Sequence, residues 1–351
     1  MVSLVVQTSF LGDTVLTTPL LTALAEHGPV DVIVRPDAAA ILDGHPAVRD
    51  LLVFAKRGQD RGWGGIRRLA AQVRQRANGA PRQSTHAFLA QGSWRSALLP
   101  WLAGVPTRIG WTTSSARWLY TQCVPHDATV HAATRLWQLG AIATPAPRAT
   151  AERPSLALRW QDVEAARALI PADDGRPLVV LAPGSVWATK RWPGYPALAA
   201  ELAGRARVVI AGSSTDRPLA QEIRAHRPDA VDATGQLSIL GTAALIRHAD
   251  ALVANDSLAI HLASAVNTPT VAVFGPTVPR FGFGPLADGS VVAEVTSLPC
   301  RPCHAHGPPR CPQRHFRCMR ELSASQVLAA LNGIWSRADS PRGLMRDSSR
   351  P

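Results

Sequence analysis

The sequence predicts an α/β fold built in two halves, each around a parallel sheet. Three observations predict it. Short apolar runs of strand length alternate with helix-patterned stretches along most of the 351 residues, a length that suits two ordinary domains. An Ala- and Pro-rich segment, Ala143–Pro154, interrupts the alternation and reads as a linker. Within Ala251–Thr277, an apolar strand ends in Asn255-Asp256-Ser257, a small-residue helix follows, and a second strand ends in Phe274-Gly275-Pro276-Thr277. That is a βαβ unit with a polar turn at the helix N-terminus, where backbone N–H groups gather an anion.

In the first half, Leu4–Gln7, Val30–Val34, Leu51–Phe54 and Ala87–Ala90 read as strands, with helices at Thr17–Glu26 and Gly65–Arg76. In the second half, Leu178–Ala182, Arg207–Ala211, Ala251–Ala254 and Thr270–Phe274 read as strands. Helices at Tyr195–Ala203, Arg217–Ala225, Ile239–Arg247 and Leu258–Val266 fall between them. A last helix, Ala324–Trp335, precedes a tail from Arg337 whose composition predicts disorder. The domains are therefore expected at 1–150 and 151–323, with a terminal helix at 324–336 and a tail at 337–351.

Hydrophobic residues make up 46% of the chain, and its apolar runs stop short of the roughly 18 residues a membrane span needs. Met1–Leu24 lacks a basic leader, and Gln7, Thr8, Gly12 and Asp13 break its apolar run, so a strand and helix in a cytoplasmic protein are expected. The net charge is +12, and eight Lys or Arg residues lie between Lys56 and Arg82 against one acid, Asp60. Such a cluster points to an anionic partner or to an Arg-rich solvated face. No nucleic-acid module is recognisable, so nucleic acid is not expected. Only Lys56 and Lys190 among the 37 basic residues are lysines, which singles out positions where a compact ammonium is useful.

Three loops carry the candidate chemistry. Gln7–Pro19 contains Gly12, which permits close backbone approach, and Asp13, which is either a functional carboxylate or a helix cap. Ala182–Pro193 presents Ser185, Thr189 and Lys190 between a strand and a helix, a set that suits a diphosphate; otherwise it is a solvated loop anchored by Trp192. In the third, Asp256 reads as a phosphate-site residue or a cap, Ser257 as a phosphate contact, and His261 as a buried structural histidine.

Taken together, these loops resemble the family-9 glycosyltransferases, the bacterial lipopolysaccharide heptosyltransferases, in order and spacing over nearly the whole chain. The signatures are Gly12-Asp13 with Thr17-Thr18-Pro19, Pro183-Gly184-Ser185 with Thr189-Lys190-Arg191-Trp192-Pro193, and Asn255-Asp256-Ser257 with Phe274-Gly275-Pro276-Thr277. Cys318-Met319-Arg320-Glu321-Leu322 resembles the branch that adds the second core heptose. The resemblance implies a GT-B fold, two Rossmann-like doubly wound domains facing a cleft, with the last helix packing on the first domain. It implies an inverting transfer of heptose from ADP-heptose to a Kdo-lipid A inner core at the cytoplasmic face of the inner membrane, with peripheral attachment. By the same resemblance Asp13 is the general base, and Lys190 neutralises the leaving diphosphate with Ser185, Thr189, Asp256, Ser257 and Leu258. Asp216 would hold the ribose, the backbone at Leu237 and Ser238 would edge the adenine, and Arg57, Arg61, Arg67 and Arg68 would face the acceptor's anions. No metal cofactor is required for such chemistry. Leu258 departs from the Gly that many relatives carry there, and Ala182 from their His.

Cys300, Cys303, Cys311 and Cys318 are spaced C-x2-C-x7-C-x6-C, which in a cytosolic protein suggests a structural zinc or simply reduced cysteines in a loop. Cys123 reads as a core residue. Three other functions compete: a GT-B epimerase or hydrolase, a transferase of another nucleotide sugar, and a nucleotide-sugar-binding protein without catalysis. A dinucleotide dehydrogenase is excluded, because the first strand lacks the Gly-x-Gly-x-x-Gly turn.

Overall fold

The computed structural model describes residues 1–77, 85–143 and 153–338. Most of the expected linker and the tail beyond residue 338 lie outside the described residues. The chain divides into two compact units, Met1–Ala157 and Leu158–Pro351.

The first unit runs β1 (Val2–Gln7), α1 (Leu11–Ala25), β2 (Val30–Val34), α2 (Pro36–Leu42), β3 (Asp50–Val53) and α3 (Trp63–Ala77). It continues with β4 (Thr85–Leu89), α4 (Trp94–Leu102), β5 (Thr107–Trp111), β6 (Gln122–Val124) and α5 (Ala132–Gly140). All strands pair in parallel, in the order β3-β2-β1-β4-β5-β6. The Val- and Ile-rich central strands are buried on both sides, as a parallel sheet covered by helices requires. Pro19 sits inside α1 and has no N–H for the carbonyl of Val15. The Thr18 hydroxyl donates to that carbonyl at 2.8 Å, and Thr17 donates to Asp13 O at 2.6 Å. The Thr-Thr-Pro signature thus repairs the helix that carries Asp13.

The second unit runs α6 (Trp160–Arg167), β7 (Leu178–Ala182), α7 (Tyr195–Glu201), β8 (Arg207–Ile210), α8 (Arg217–His226) and β9 (Val231–Asp232). Then follow α9 (Ile239–His248), β10 (Ala251–Asn255), α10 (Leu258–Val266), β11 (Thr270–Phe274), β12 (Val291–Glu294), α11 (Arg317–Arg320) and α12 (Ala324–Ala338). Its parallel sheet has the order β12-β11-β10-β7-β8-β9. Counted from its own first strand, this is the same order as in the first unit. In both sheets the order reverses beside the first strand, between β1 and β4 and between β7 and β10. Ligands of open α/β sheets bind at the carboxyl ends of strands at such switch points.

Three expectations are corrected. The terminal helix α12 was expected on the first domain, but its Val327, Leu328, Leu331 and Ile334 enter the second unit's own core, where α12 packs on α7, β11 and β12. The three- and four-residue spacing of these side chains forms one apolar stripe, and burying each contributes about 1.5–3 kcal/mol. Helix α12 also continues through Arg337, where the tail was expected to begin. Cys123 is exposed rather than buried, because β6 is a short strand at the sheet edge. Among the described residues, no helix is long and apolar enough to cross a membrane.

Candidate active site

The second unit's switch point is assembled by the loops that follow β7, β10 and β11. Asn255, at the end of β10, donates from its amide to Pro183 O at 2.7 Å and accepts from the Trp192 N–H at 3.1 Å. It therefore ties both ends of the Pro183–Trp192 loop to β10. Trp192 donates its indole N–H to Leu322 O at 3.0 Å and meets Tyr195 edge to face. So anchored, the loop delivers Lys190 to Asp256: the ammonium lies 2.6 Å from Asp256 Oδ2, and both side chains are about one-tenth exposed, 11% and 9%. The hydroxyl of Thr277, after β11, donates to the same carboxylate oxygen at 2.7 Å. One ammonium N–H is used in this pair, and two remain by valence for further acceptors.

Asp256 is thus the partner of Lys190 and not the cap of α10. Ser257 is the N-cap residue, in extended conformation, and its side chain makes no cap bond. Leu258 is the first residue of α10, whose N-terminal N–H groups open beside Lys190's loop. The Thr189 hydroxyl donates to Pro308 O at 2.5 Å, which ties the loop to the 307–308 segment. Next to it Gly307, at φ +93°, lies against the Lys190 side chain, where a Cβ would stand 3.1 Å from Cε. The Ser185 carbonyl accepts from Arg191 Nε at 2.9 Å.

Asp216 is buried and accepts from the Ser213 N–H at 2.9 Å and hydroxyl at 2.7 Å. A Cβ on Gly184 would meet its carboxylate at 2.6 Å, so glycine there lets the 184 and 216 loops close together. Ser238 caps α9, accepting from the Gly241 N–H at 2.8 Å, and donates to Asp162 Oδ1 at 2.7 Å. Its side chain is thereby engaged, as is that of Asp216 in part.

In the first unit the loop after β1 is pinned from several sides. Lys56 Nζ donates to Thr8 O at 2.7 Å, Arg35 donates to Ser9 O at 3.2 Å, and Gln91 donates to both the Thr8 and Ser96 hydroxyls. Asp13 stands in the first turn of α1, and its Oδ2 accepts from the Phe10 N–H at 3.3 Å. It caps the helix in the manner one sequence reading allowed, and the charge of buried Arg135 acts on it. A cleft of about 450 Å³ opens here, lined by Thr8, Phe10, Arg35, Lys56, Arg57 and Gln91 among others. Burial first, then repulsion from Arg35, Arg57 and Arg95, hold the Lys56 ammonium below its ordinary pKa. Such a surplus of cations favours an anionic ligand.

Of the four expected arginines, only Arg57 lines this cleft. Arg68 pairs with buried Asp60, and Arg61 and Arg67 are exposed elsewhere. Arg35, Lys56 and Gln91 lie outside the motifs, while Asn255 and Thr277 lie within the quoted signatures but had no role assigned from sequence. The scarcity of lysine did mark Lys56.

The spacing of Cys300, Cys303, Cys311 and Cys318 left two readings open, a structural zinc or reduced cysteines in a loop. Among the described residues, no group of three or more His, Cys, Asp or Glu side chains is arranged to hold a metal ion. Cys318 turns into the core beside Met319, and burial, then the nearby Cys303, push its thiol up to about 11. Cys303 is raised as well, by burial first and then by Cys300 and Cys311.

Two Rossmann-ordered units, one with a basic cleft and one with a lysine-bearing strand-end site, define a glycosyltransferase of the GT-B class. More specifically, the chain belongs to glycosyltransferase family 9 (heptosyltransferase), whose model matches residues 66–309. It is 32% identical over 316 residues to lipopolysaccharide heptosyltransferase 1 of Pseudomonas aeruginosa, covering 86% of this chain and 85% of the relative. Lipopolysaccharide heptosyltransferase 2 of Salmonella typhimurium is 28% identical over 79% of this chain and 84% of its own length. The solved E. coli ADP-heptose lps heptosyltransferase II has the same fold, with a TM-score of 0.77 at 23% identity, over 97% of this chain and all of that one.

Proposed function

We propose that this enzyme transfers L-glycero-D-manno-heptose from ADP-heptose to the lipopolysaccharide inner core, with heptosyl-Kdo2-lipid A as acceptor. The observation that carries the reading is the buried Lys190–Asp256 pair at the N-terminus of α10 and the second unit's switch point. The names of the relatives supply the sugar and the core. In this reading the donor diphosphate accepts from the two remaining Lys190 N–H groups and from N–H groups at Ser257 and Leu258, with Ser185 beside them. Asp256 and Thr277 orient the ammonium, and Thr189 fixes its loop. Asp216 and the backbone at Leu237 and Ser238 receive the ribose and adenine.

The acceptor's anionic groups enter the cleft of Arg35, Lys56 and Arg57 in the first unit. Its hydroxyl attacks the anomeric carbon on the face opposite ADP and passes its proton to Asp13, while the C–O electron pair leaves with the β-phosphate. One displacement inverts the centre. Lys190 and α10 stabilise the charge that grows on ADP, so transfer proceeds in the presence of EDTA. The enzyme works peripherally at the cytoplasmic face of the inner membrane.

Relatives of both the first and the second heptosyltransferase type match this chain, so the acceptor is the finer question. The test is mass spectrometry of products from purified protein, ADP-heptose and either Kdo2-lipid A or its mono-heptosylated form. A heptose-mass gain on the mono-heptosylated acceptor is expected. Gain only on the unheptosylated acceptor would move the enzyme to the first step, and gain on neither would overturn the reading. Asp13→Asn should cut turnover at least ~10²-fold with ADP affinity nearly intact, as loss of a general base does. Equal turnover in both proteins would remove Asp13 from that role.

A further inference from the structure

Four tryptophans of the first unit are largely exposed: Trp63 (59%), Trp94 (45%), Trp101 (48%) and Trp118 (72%). They lie on α3, α4 and the 3₁₀ turn at Arg117–Leu119, elements that pack Ile66, Leu69, Leu98 and Leu119 into one core cluster with the sheet. The tryptophans are neighbours. Trp63 and Trp94 line one small cleft with Arg95. Trp94 and Trp101 are seven residues apart on α4, within about 20° of the same helix face. The turn bearing Trp118 packs on α4, and Arg74 of α3 donates to Leu102 O at 2.6 Å, lashing α3 to the end of α4.

Charge on these elements has one sign. Their sequences contain no Asp or Glu, and they carry Arg67, Arg95 and Arg117, all exposed. Arg95 stacks its guanidinium over the Trp94 ring, 5.6 Å from the centroid. An exposed indole is a large apolar body with one N–H, and four together on a folded surface mark an interaction site. Indoles flanked by arginines fit the headgroup level of a bilayer: the rings enter the acyl boundary while the guanidinium groups bind lipid phosphates.

We propose that the α3–α4–Trp118 face docks the enzyme on an anionic lipid bilayer, through these four tryptophans with Arg67, Arg95 and Arg117. The proposal deepens the peripheral-membrane part of the functional reading and rests on it only there. Its test contains neither donor nor acceptor, so a failure of the transfer assay leaves it standing.

Co-sedimentation of the full chain with phosphatidylethanolamine–phosphatidylglycerol vesicles should show binding that phosphatidylcholine vesicles do not support. Trp101→Ser with Trp118→Ser should weaken that binding at least ~10-fold without shifting the urea midpoint, since both are surface positions. Arg95→Gln and Arg117→Gln should each weaken it about five-fold, the worth of one basic residue at an anionic surface. In the unmutated protein, brominated lipid should quench part of the tryptophan fluorescence, a readout that needs no variant. Wild-type protein that ignores anionic vesicles, or that binds a single-stranded oligonucleotide in their place, would overturn the proposal. So would a folded tryptophan variant that binds as wild type does.

Discussion

Lys190→Ala is the perturbation whose magnitude follows most directly from the geometry. The substitution leaves Asp256, 9% exposed, with the Thr277 hydroxyl as its remaining partner at 2.7 Å. Removing one member of a buried ion pair costs about 3–5 kcal/mol, because the other charge stays out of water. The expected destabilisation of the second unit is therefore about 3–5 kcal/mol, against roughly 0–1 for an exposed pair.

Urea unfolding at pH 7 measures it. With a slope of about 2–3 kcal/mol per molar for a domain of this size, the second unit's midpoint should fall by roughly 1–2 M. Adding Asp256→Asn removes the stranded charge and should restore at least ~1 kcal/mol, while ADP affinity stays at least ~10-fold below wild type in both variants. That separation distinguishes the lysine's two tasks, holding the loop and holding phosphate. A midpoint unchanged in Lys190→Ala, or a double variant no more stable than the single one, would refute the buried-pair reasoning. Unchanged ADP affinity would refute the diphosphate assignment.

Two further outcomes follow from other parts of the structure. Thr18→Val strips the Val15 carbonyl of the hydroxyl that replaces the missing N–H of Pro19, and removes the acceptor for the Ser155 N–H. It should cost about 1–3 kcal/mol in urea unfolding, and a loss under ~0.5 would show that the helix tolerates Pro19 unaided. His45 is buried, accepts from the Ala47 N–H through Nδ1 and contacts Ser155 through Nε2; burial lowers its pKa. The folded state therefore favours the neutral ring, so its contribution is complete above about pH 6.5 and is lost as pH falls through the lowered folded value. His45→Asn should flatten the acid limb of a pH–stability profile, and parallel profiles would remove His45 from that limb.

How much of this was legible beforehand depended on what kind of signal each element carries. Central strands such as Val30–Val34 and Thr270–Phe274 are buried on both faces and announce themselves as unbroken apolar runs. Strand β6 has three residues, two of them exposed, and β9 has two, so neither leaves a pattern to read. Helix α4 carries Pro100 in its interior and reads locally as a break. Its place is set by packing against α3 and β4, which no window along the chain can report.

The candidate site shows the same division at the level of side chains. The candidate loops read from motif spacing do fall at the carboxyl ends of strands, because backbone topology determines where those ends lie. Spacing could not say which way a side chain turns once there. Arg68 is drawn aside by Asp60, eight residues away, and Ser238 is recruited as a helix cap. Lys190 and Asp256 meet across 66 residues of chain, a pairing that exists only because β7 and β10 are adjacent in the sheet. Asn255 makes that meeting possible by tying Pro183 and Trp192 to the end of β10. The duplicated strand order therefore explains why each unit carries a polar site beside its first strand. The differences between the two sites lie in a few long-range contacts: Asp256 and Thr277 on Lys190 in one unit, and the Thr8 carbonyl beneath Lys56 in the other. The first arrangement neutralises its lysine within the protein, and the second leaves Lys56 among arginines. In the proposed reading the cations around Lys56, which outnumber the Asp37 that also lines their cleft, suit a large anionic acceptor, and the paired Lys190 suits a diphosphate.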